Sequence, residues 1–352
     1  MRGVGVVPWG AVTAPLAPAR LSDAPLPQLD PRTPPWPGRT VRVAGGALHV
    51  RHTPGPEGGE PALYLHGLGG QATNWTDLAA LLAGHLDAEA VDLPGFGRSD
   101  PAAGGDYSLR GHARVVIGYL AQRGCGPVHL FGNSMGGAIA IMVAAARPDL
   151  VRTLTLISPA VPDLDPRNRE ERMMPLLLLP GIGRVAERRL AATDPAVRVR
   201  QVLELCYGNP SLVPPERLAE AVEDARQRAG QPWQMTAFIR SLRGLVGGYL
   251  PGARSLWRFA ARIQAPTLVV WGDRDKLVNV RVAPRTARTI PGARLLVLPG
   301  VGHVAQMEDP LAVARAFLAL REDTATGAVA RTGGDTPPAG KAERSRCGRL
   351  SG

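Results

Sequence analysis

Short apolar runs separated by longer amphipathic stretches form the main pattern of this chain. The runs have the length and composition of strands that are buried on both faces, and the stretches between them have the apolar spacing of helices. The runs lie at residues 62–65, 88–91, 128–131, 153–157, 267–271 and 294–298, after a hairpin-like pattern at 40–53. Strands that alternate with helices predict an α/β protein with a mostly parallel, twisted sheet flanked by helices.

This alternation stops between residues 161 and 262. Here the pattern is helical throughout, with candidate helices near residues 173–179, 197–205, 215–229 and 233–245. A helical insertion in an α/β domain most simply covers the carboxyl ends of the strands, where ligands bind. We therefore predict a core made of residues 39–160 and 263–321, and a helical cap, or lid, made of residues 161–262.

Both ends of the chain differ in composition from the predicted core. Residues 1–38 are rich in proline and alanine, which favours extended backbone, so we expect a poorly ordered tail or a surface strap anchored by Trp36. Residues 2–19 of this extension also have some features of a secretory signal, although Pro8, Pro15 and Pro18 interrupt the apolar region. Residues 322–352 lack apolar periodicity, which predicts a disordered tail.

The net charge of +11 comes almost entirely from arginine, which is scattered among acidic residues rather than gathered into a basic block. The composition therefore predicts no nucleic-acid partner, and no apolar run is long enough for stable membrane insertion. Cys125, Cys206 and Cys347 are far apart and lack metal-ligand spacing. We expect no metal, no cofactor and a cytoplasmic location, with secretion as the alternative.

Candidate chemistry begins with the sequence Gly-Asn-Ser-Met-Gly at residues 132–136. It joins an apolar strand pattern to a helix of small residues, which is the setting of a nucleophile elbow. An ordinary glycine-rich turn would have a similar sequence, so Ser134 needs a base and an acid elsewhere in the chain. Two later strands end in loops that supply them, since one loop carries Asp273 and Asp275 and the other carries His303.

The order Ser134, Asp275, His303 is the order of the catalytic triad in α/β-hydrolases. The oxyanion hole is expected from two backbone N–H groups, that of Met135 after the nucleophile and that of Leu68 in the loop after an early strand. Backbone donors require no particular side chain, so the assignment of Leu68 rests on the position of its loop.

Five motifs in this order resemble the α/β-hydrolase superfamily, over about residues 40–320. They are His-Gly-Leu-Gly-Gly at 66–70, Asp-Leu-Pro-Gly-Phe-Gly-Arg-Ser at 92–99, the elbow, Gly-Asp-Arg-Asp at 272–275 and Gly-His at 302–303 with the sequence up to residue 310. The resemblance implies that Asp275 is the catalytic acid and that Asp273 is structural. His66 is expected to pack beneath the oxyanion loop. The chain departs from many relatives at Asn279, where they have proline.

A serine nucleophile argues against the dehalogenase and epoxide-hydrolase branches, which use a carboxylate. We therefore expect a serine hydrolase that cleaves small apolar carboxylic esters through an acyl-enzyme on Ser134. One alternative is carbon–carbon bond hydrolysis, because the elbow is similar to that of meta-cleavage product hydrolases, although Val304 stands where those enzymes carry tryptophan. Another is an inactive hydrolase fold used as a binding module.

The oligomeric state is not predicted. Apolar residues of the predicted cap could line an acyl pocket or only pack against the core, so none is assigned to binding. They are Met173, Met174, residues 176–179, Trp233, Met235, Phe238 and Leu242.

Overall fold

The computed structural model describes residues 16–44, 46–163, 193–249 and 255–327. The strands in these residues form one sheet in the order β1-β9-β8-β7-β6-β4-β5-β3-β2. They are β1 (Ala17–Pro18), β2 (Gly38–Val43), β3 (Gly46–Thr53), β4 (Glu60–Leu65), β5 (Leu86–Val91), β6 (Val128–Asn133), β7 (Val151–Ile157), β8 (Thr267–Gly272) and β9 (Arg294–Leu298).

The α-helices of the described residues alternate with these strands along most of the chain. They are α1 (Thr76–Leu82), α2 (Leu109–Arg123), α3 (Met135–Ala146), α4 (Pro195–Cys206), α5 (Pro215–Arg228), α6 (Gln234–Gly247), α7 (Leu256–Ala260), α8 (Ala283–Thr289), α9 (Ala305–Glu308) and α10 (Pro310–Ala325).

The predicted α/β class is confirmed by the sheet. The strands from β4 to β9 pair in parallel, while the hairpin of β2 and β3 joins β5 through an antiparallel pair. The central strands β6 and β8 are buried along their whole length, which explains their continuous apolar sequence. Parallel strands bring their carboxyl ends to one edge, so the loops that follow β4, β6, β8 and β9 meet there.

Two apolar clusters cover the two faces of the sheet. One contains the inward faces of α2, α3, α7 and α8, and the other contains those of α1 and α10. The helix α3 is almost entirely buried. The element that begins at Ser134 is therefore fixed by packing on all sides.

Between β7 and β8, the described residues contain helices and no strand. The cap helices, α4 to α6, occupy residues 195–247 of the predicted cap, whereas α7 contributes Leu256 and Ala260 to the same apolar cluster as α3. The candidate helix near residues 173–179 lies outside the described residues.

The described part of the N-terminal extension lies against the domain. β1 pairs in parallel with the start of β9, and Arg20 forms an ion pair with Asp323 of α10. Trp36 is partly buried against the apolar cluster that contains α10. Residues 16–37 thus cross the surface as a strap, while residues 1–15 and 328–352 are outside the described part of the chain.

Two further observations concern the helices and the cysteines. None of the described helices combines the length and the apolar character that a membrane crossing requires. Cys206 is a free cysteine, but Cys125 takes part in a disulfide bond. Disulfide bonds are typical of oxidising compartments, so the cysteines give no support to the expected cytoplasmic location.

Candidate active site

Ser134 occupies the sharp corner between β6 and α3. Its φ of 53° and ψ of −118° lie in a region that L-residues rarely adopt, as in the strained turn of a nucleophile elbow. The flanking glycines make this corner possible. A Cβ on Gly136 would lie 2.2 Å from the carbonyl oxygen of Leu65, and one on Gly132 would lie 2.5 Å from the carbonyl oxygen of Gly136.

The backbone of Ser134 is held by the end of β7. Its N–H donates to the carbonyl of Ile157 at 3.0 Å, and its own carbonyl accepts from the N–H of Ala160 at 2.9 Å. The same carbonyl accepts from Ala138 at 3.0 Å, within the first turn of α3. The strained conformation is therefore stabilised by neighbours on both sides.

His303 and Asp275 form a buried pair at the ends of β9 and β8. The His303 Nδ1 is 2.8 Å from Asp275 Oδ2, and the side chains are only 4% and 0% exposed. The second carboxylate oxygen of Asp275 accepts from the N–H groups of Leu277 at 2.8 Å and Val278 at 2.9 Å. An ionised carboxylate can only accept, so Nδ1 carries the proton and Nε2 is left as the basic nitrogen.

Asp273 has a different partner. Its carboxylate accepts from the N–H of Gly300 at 2.7 Å, which ties the loop after β8 to the loop that leads to His303. The structure therefore places Asp275, rather than Asp273, beside His303.

Asn133 links the elbow to the histidine loop. Its buried Nδ2 donates to the carbonyl of His303 at 3.0 Å and to that of Ile157 at 3.1 Å. Ser134 and His303 are thus connected through the residue that precedes the serine. No structural role was predicted for Asn133, although its position inside an apolar, buried motif was the signal, since buried amides are almost always hydrogen-bonded.

Met135 directly follows Ser134 in the chain, and Leu68 follows Gly67 in the loop after β4. Among the described residues, neither N–H donates a hydrogen bond to a backbone or side-chain acceptor. Gly67 packs directly on the serine, because a Cβ on Gly67 would lie 3.1 Å from Ser134 Cβ. The loop after β4 and the start of α3 therefore meet at the serine, where oxyanion donors are needed.

His66 supports this loop through two hydrogen bonds of its ring. Its Nε2 accepts from the N–H of Leu93 at 2.9 Å, so Nδ1 donates to the carbonyl of Gly67 at 2.7 Å. Burial lowers the pKa of His66 to about 4. The neutral ring joins the loops after β4 and β5, as the sequence analysis expected of a structural histidine.

Glu308 connects the histidine loop to the cap helices. Its carboxylate accepts from the N–H of Gly302 at 2.7 Å, and from those of Gly208 at 3.0 Å and Asn209 at 2.9 Å, just after α4. The N–H of His303 also donates to the carbonyl of Cys206 at 2.7 Å. This role of Glu308 could not be predicted from sequence, because its partners on the cap are about 100 residues away.

The cap helices α5 and α6 lie over the loops that follow β4 and β5. The ring of Phe238 approaches Gly69, the methyl group of Ala237 approaches Gly95, and Arg217 pairs with Asp77 at 2.6 Å. Leu242 is buried, and Trp233 and Met235 are half-buried. Met173, Met174 and residues 176–179 lie outside the described residues.

Comparison with known proteins identifies the family. Residues 61–310 match the family described as alpha/beta hydrolase fold. The chain belongs to this family. The resemblance inferred from the five motifs is confirmed, and the loops that hold Ser134, Asp275 and His303 all lie within the matched residues.

Relatives of this chain are named after different activities. The chain is 31% identical over 283 residues to the dihydrolipoyllysine-residue acetyltransferase component of an acetoin cleaving system from Pseudomonas putida (78% of this chain, 67% of that protein). It is 28% identical over 273 residues to Lipase 1 of Psychrobacter immobilis (77% and 79%). It is also 29% identical over 264 residues to a 2-hydroxy-6-oxononadienedioate/2-hydroxy-6-oxononatrienedioate hydrolase of Cupriavidus pinatubonensis (71% and 83%).

Proposed function

We propose that this protein is a serine hydrolase of carboxylic esters, with Ser134 as nucleophile, His303 as base and Asp275 as the acid that orients it. The observation that carries the proposal is the buried hydrogen bond of 2.8 Å between His303 and Asp275, joined through Asn133 to a serine held at a strained elbow. The similarity to Lipase 1 supports an ester substrate.

In this mechanism, His303 Nε2 removes the proton from Ser134 Oγ as the oxygen attacks the ester carbonyl. The Asp275 carboxylate stabilises the imidazolium that forms. The N–H groups of Leu68 and Met135 donate to the oxyanion of the tetrahedral intermediate. His303 then gives its proton to the leaving alkoxide, and a water molecule, deprotonated by the same nitrogen, releases the acid and restores Ser134.

Apolar acyl groups are the expected substrates. Phe238 lies over the loop that contains Leu68, and both side chains pack against the larger apolar cluster. A substrate that reaches the serine between this loop and α6 therefore meets an apolar wall, which favours hydrocarbon chains over small charged groups.

The test is covalent labelling with a fluorophosphonate, followed by a series of p-nitrophenyl esters. We expect labelling at Ser134, its loss in Ser134→Ala, and higher kcat/KM for medium-length acyl chains than for a charged short ester. Absence of labelling in a folded wild-type protein would instead favour the inactive binding module.

Carbon–carbon bond hydrolysis is the second candidate. It is supported by the relative from Cupriavidus pinatubonensis and by the similar elbow sequence. Purified protein assayed against a vinylogous diketone acid and a short p-nitrophenyl ester separates the two activities. Faster turnover of the diketone would overturn the assignment as an esterase.

A further inference from the structure

A polar cavity lies between the end of α5 and two loops of the core. Its volume is about 200 Å³, and it is lined by Gln71, Arg98, Asp224, Gln227, Arg228 and Gln231. Because a water molecule takes about 30 Å³ in the liquid, this space holds a molecule of roughly six heavy atoms. None of its lining residues belongs to the proposed triad or oxyanion hole, so the cavity is a separate feature of the seam between cap and core.

The cavity contains more positive than negative charge. Arg98 and Arg228 face the single carboxylate of Asp224, which is already engaged by the side chains of Gln71 and Thr73. Arg228 donates from Nε to the carbonyl of Asp224 at 3.1 Å, and its two Nη groups have no partner among the described residues. Burial lowers the pKa of Arg228, and the nearby carboxylates of Asp224 and Asp92 oppose this shift. A half-buried guanidinium with free donors suits an anion.

Gln231 also lines this cavity. Its Nε2 donates to the carbonyl of Gly97 at 3.1 Å, which fixes the orientation of the amide. Its Oε1 is shielded from any water-sized molecule and does not open to the cavity. A molecule in the cavity therefore meets the donors of Arg228 and Arg98 and must accept hydrogen bonds from them.

We propose that this cavity binds a small oxyanion, with its charged oxygens on Arg228 and Arg98. Both a small carboxylate and hydrogen phosphate have this chemistry. Because Arg228 and Gln231 come from the cap and Arg98 comes from the loop after β5, the bound anion bridges the two parts of the molecule.

Isothermal titration calorimetry with L-lactate, inorganic phosphate and acetate tests the site. The full chain is used as Ser134→Ala, with chloride holding the ionic strength constant, so that binding is measured independently of catalysis. We expect at least one of the three anions to bind. Arg228→Gln should weaken binding at least tenfold. Arg226→Gln, an exposed arginine on the same helix that does not line the cavity, should leave binding unchanged.

The comparison of anions identifies the source of the oxyanion. Tighter binding of lactate or acetate indicates a carboxylate ligand, and tighter binding of phosphate indicates a phosphoryl group.

Two results would overturn the proposal. Absence of binding by all three anions would show that the cavity holds water only. Equal weakening in Arg226→Gln would reveal a nonspecific effect of charge. If Arg228→Gln fails to fold in a thermal melt, Arg98→Gln at the exposed side of the cavity provides the same test.

Discussion

At the scale of single residues, the two carboxylates of the loop after β8 have different surroundings. Asp273 receives a backbone N–H from Gly300, whereas Asp275 receives two backbone N–H groups and the ring of His303. Only a carboxylate at residue 275 can fix the tautomer of His303 and stabilise its positive charge.

Replacement of Asp275 by asparagine should therefore lower kcat by about 10³- to 10⁴-fold, because the amide favours the wrong tautomer of His303. Asp273→Asn serves as the matched control, and its kcat should stay within about fivefold of the wild type, since a neutral oxygen can still accept from Gly300. Steady-state kinetics on a p-nitrophenyl ester measure both. An equal loss in the two variants would contradict the assignment of the acid.

A second prediction concerns Gly67. Alanine at this position would place its Cβ 3.1 Å from Ser134 Cβ and 3.2 Å from Asn133 Oδ1, so the elbow would have to shift by a few tenths of an ångström. We expect kcat to fall by about tenfold, because small misplacements of reacting groups are costly, with a change in unfolding free energy below about 1 kcal/mol. Gly84→Ala, which meets open space, is the control. Unchanged kcat in Gly67→Ala would count against close packing at the nucleophile.

The residues proposed for chemistry could be predicted from sequence because each lies in the turn or loop after a strand. Ser134 directly follows β6, and Asp275 and His303 lie in the loops after β8 and β9. Parallel strands bring such positions to one edge. The choice of Asp275 over Asp273 needed the family resemblance. The contacts of Asn133 could not be predicted, because a hydrogen bond to a carbonyl 170 residues later depends on tertiary structure.

At the scale of elements, the site depends on how α4 is attached to the histidine loop. Glu308 binds two N–H groups just after α4 and one in the loop before His303, and the N–H of His303 binds the last residue of the same helix. A change in the position of α4 is therefore transmitted to the base through four hydrogen bonds. Glu308 acts as a positioning residue.

Glu308→Gln should lower kcat by about tenfold with a smaller effect on KM, because the amide offers one acceptor where the carboxylate offers two. The rate of fluorophosphonate labelling should fall in parallel, since it also requires a correctly placed His303. Met307→Gln changes the half-buried neighbouring residue of α9, and it serves as the control for a substitution in this helix that leaves Glu308 in place. A purely structural role would lower the melting temperature and leave the kcat of the folded fraction unchanged.

The cap and the strap show different limits of prediction from sequence. The helical pattern of α4 to α6 is visible in the chain, but their seating on the core depends on contacts such as that of Arg217 with Asp77, which no local pattern encodes. The proline-rich composition of the strap predicts weak packing. The strap is nevertheless held in place, because pairing of β1 with β9 uses main-chain groups and depends little on composition.

At the scale of the whole molecule, a cluster of charged residues links the amino ends of the parallel strands, at the edge of the sheet opposite the proposed active site. Glu60 at the start of β4 contacts His129 of β6 at 3.3 Å, Arg152 of β7 at 3.2 Å and Arg321 of α10 at 2.5 Å. The hydrogen bonds from His129 and Arg321 outweigh burial and lower the pKa of Glu60 from 4.5 to about 2. One carboxylate thus joins two further strands and the last described helix.

This pKa predicts how stability depends on pH. A carboxylate whose folded pKa lies below its unfolded value stabilises the fold above pH 4.5 and loses this contribution as the pH falls towards 2. We expect Glu60→Gln to lower the unfolding free energy by about 2 kcal/mol at pH 6, after allowance for solvent screening, and the difference to vanish near pH 2. Urea unfolding across this range measures it, with the exposed Glu57→Gln as control. A difference independent of pH would contradict the ion-pair origin.

The strap has a consequence for self-association. An unpaired edge strand is a template for strand addition by another chain, and natural sheets protect such edges. Here β1 pairs with Arg294 and Leu295 and so covers the first part of the β9 edge, while in the described residues β2 is the outermost strand at the other side. A second copy that extended the sheet at that side would join through Gly38–Val43. Loss of residues 16–20 would expose the start of β9 as a second joining site and favour fibre-like chains over closed dimers.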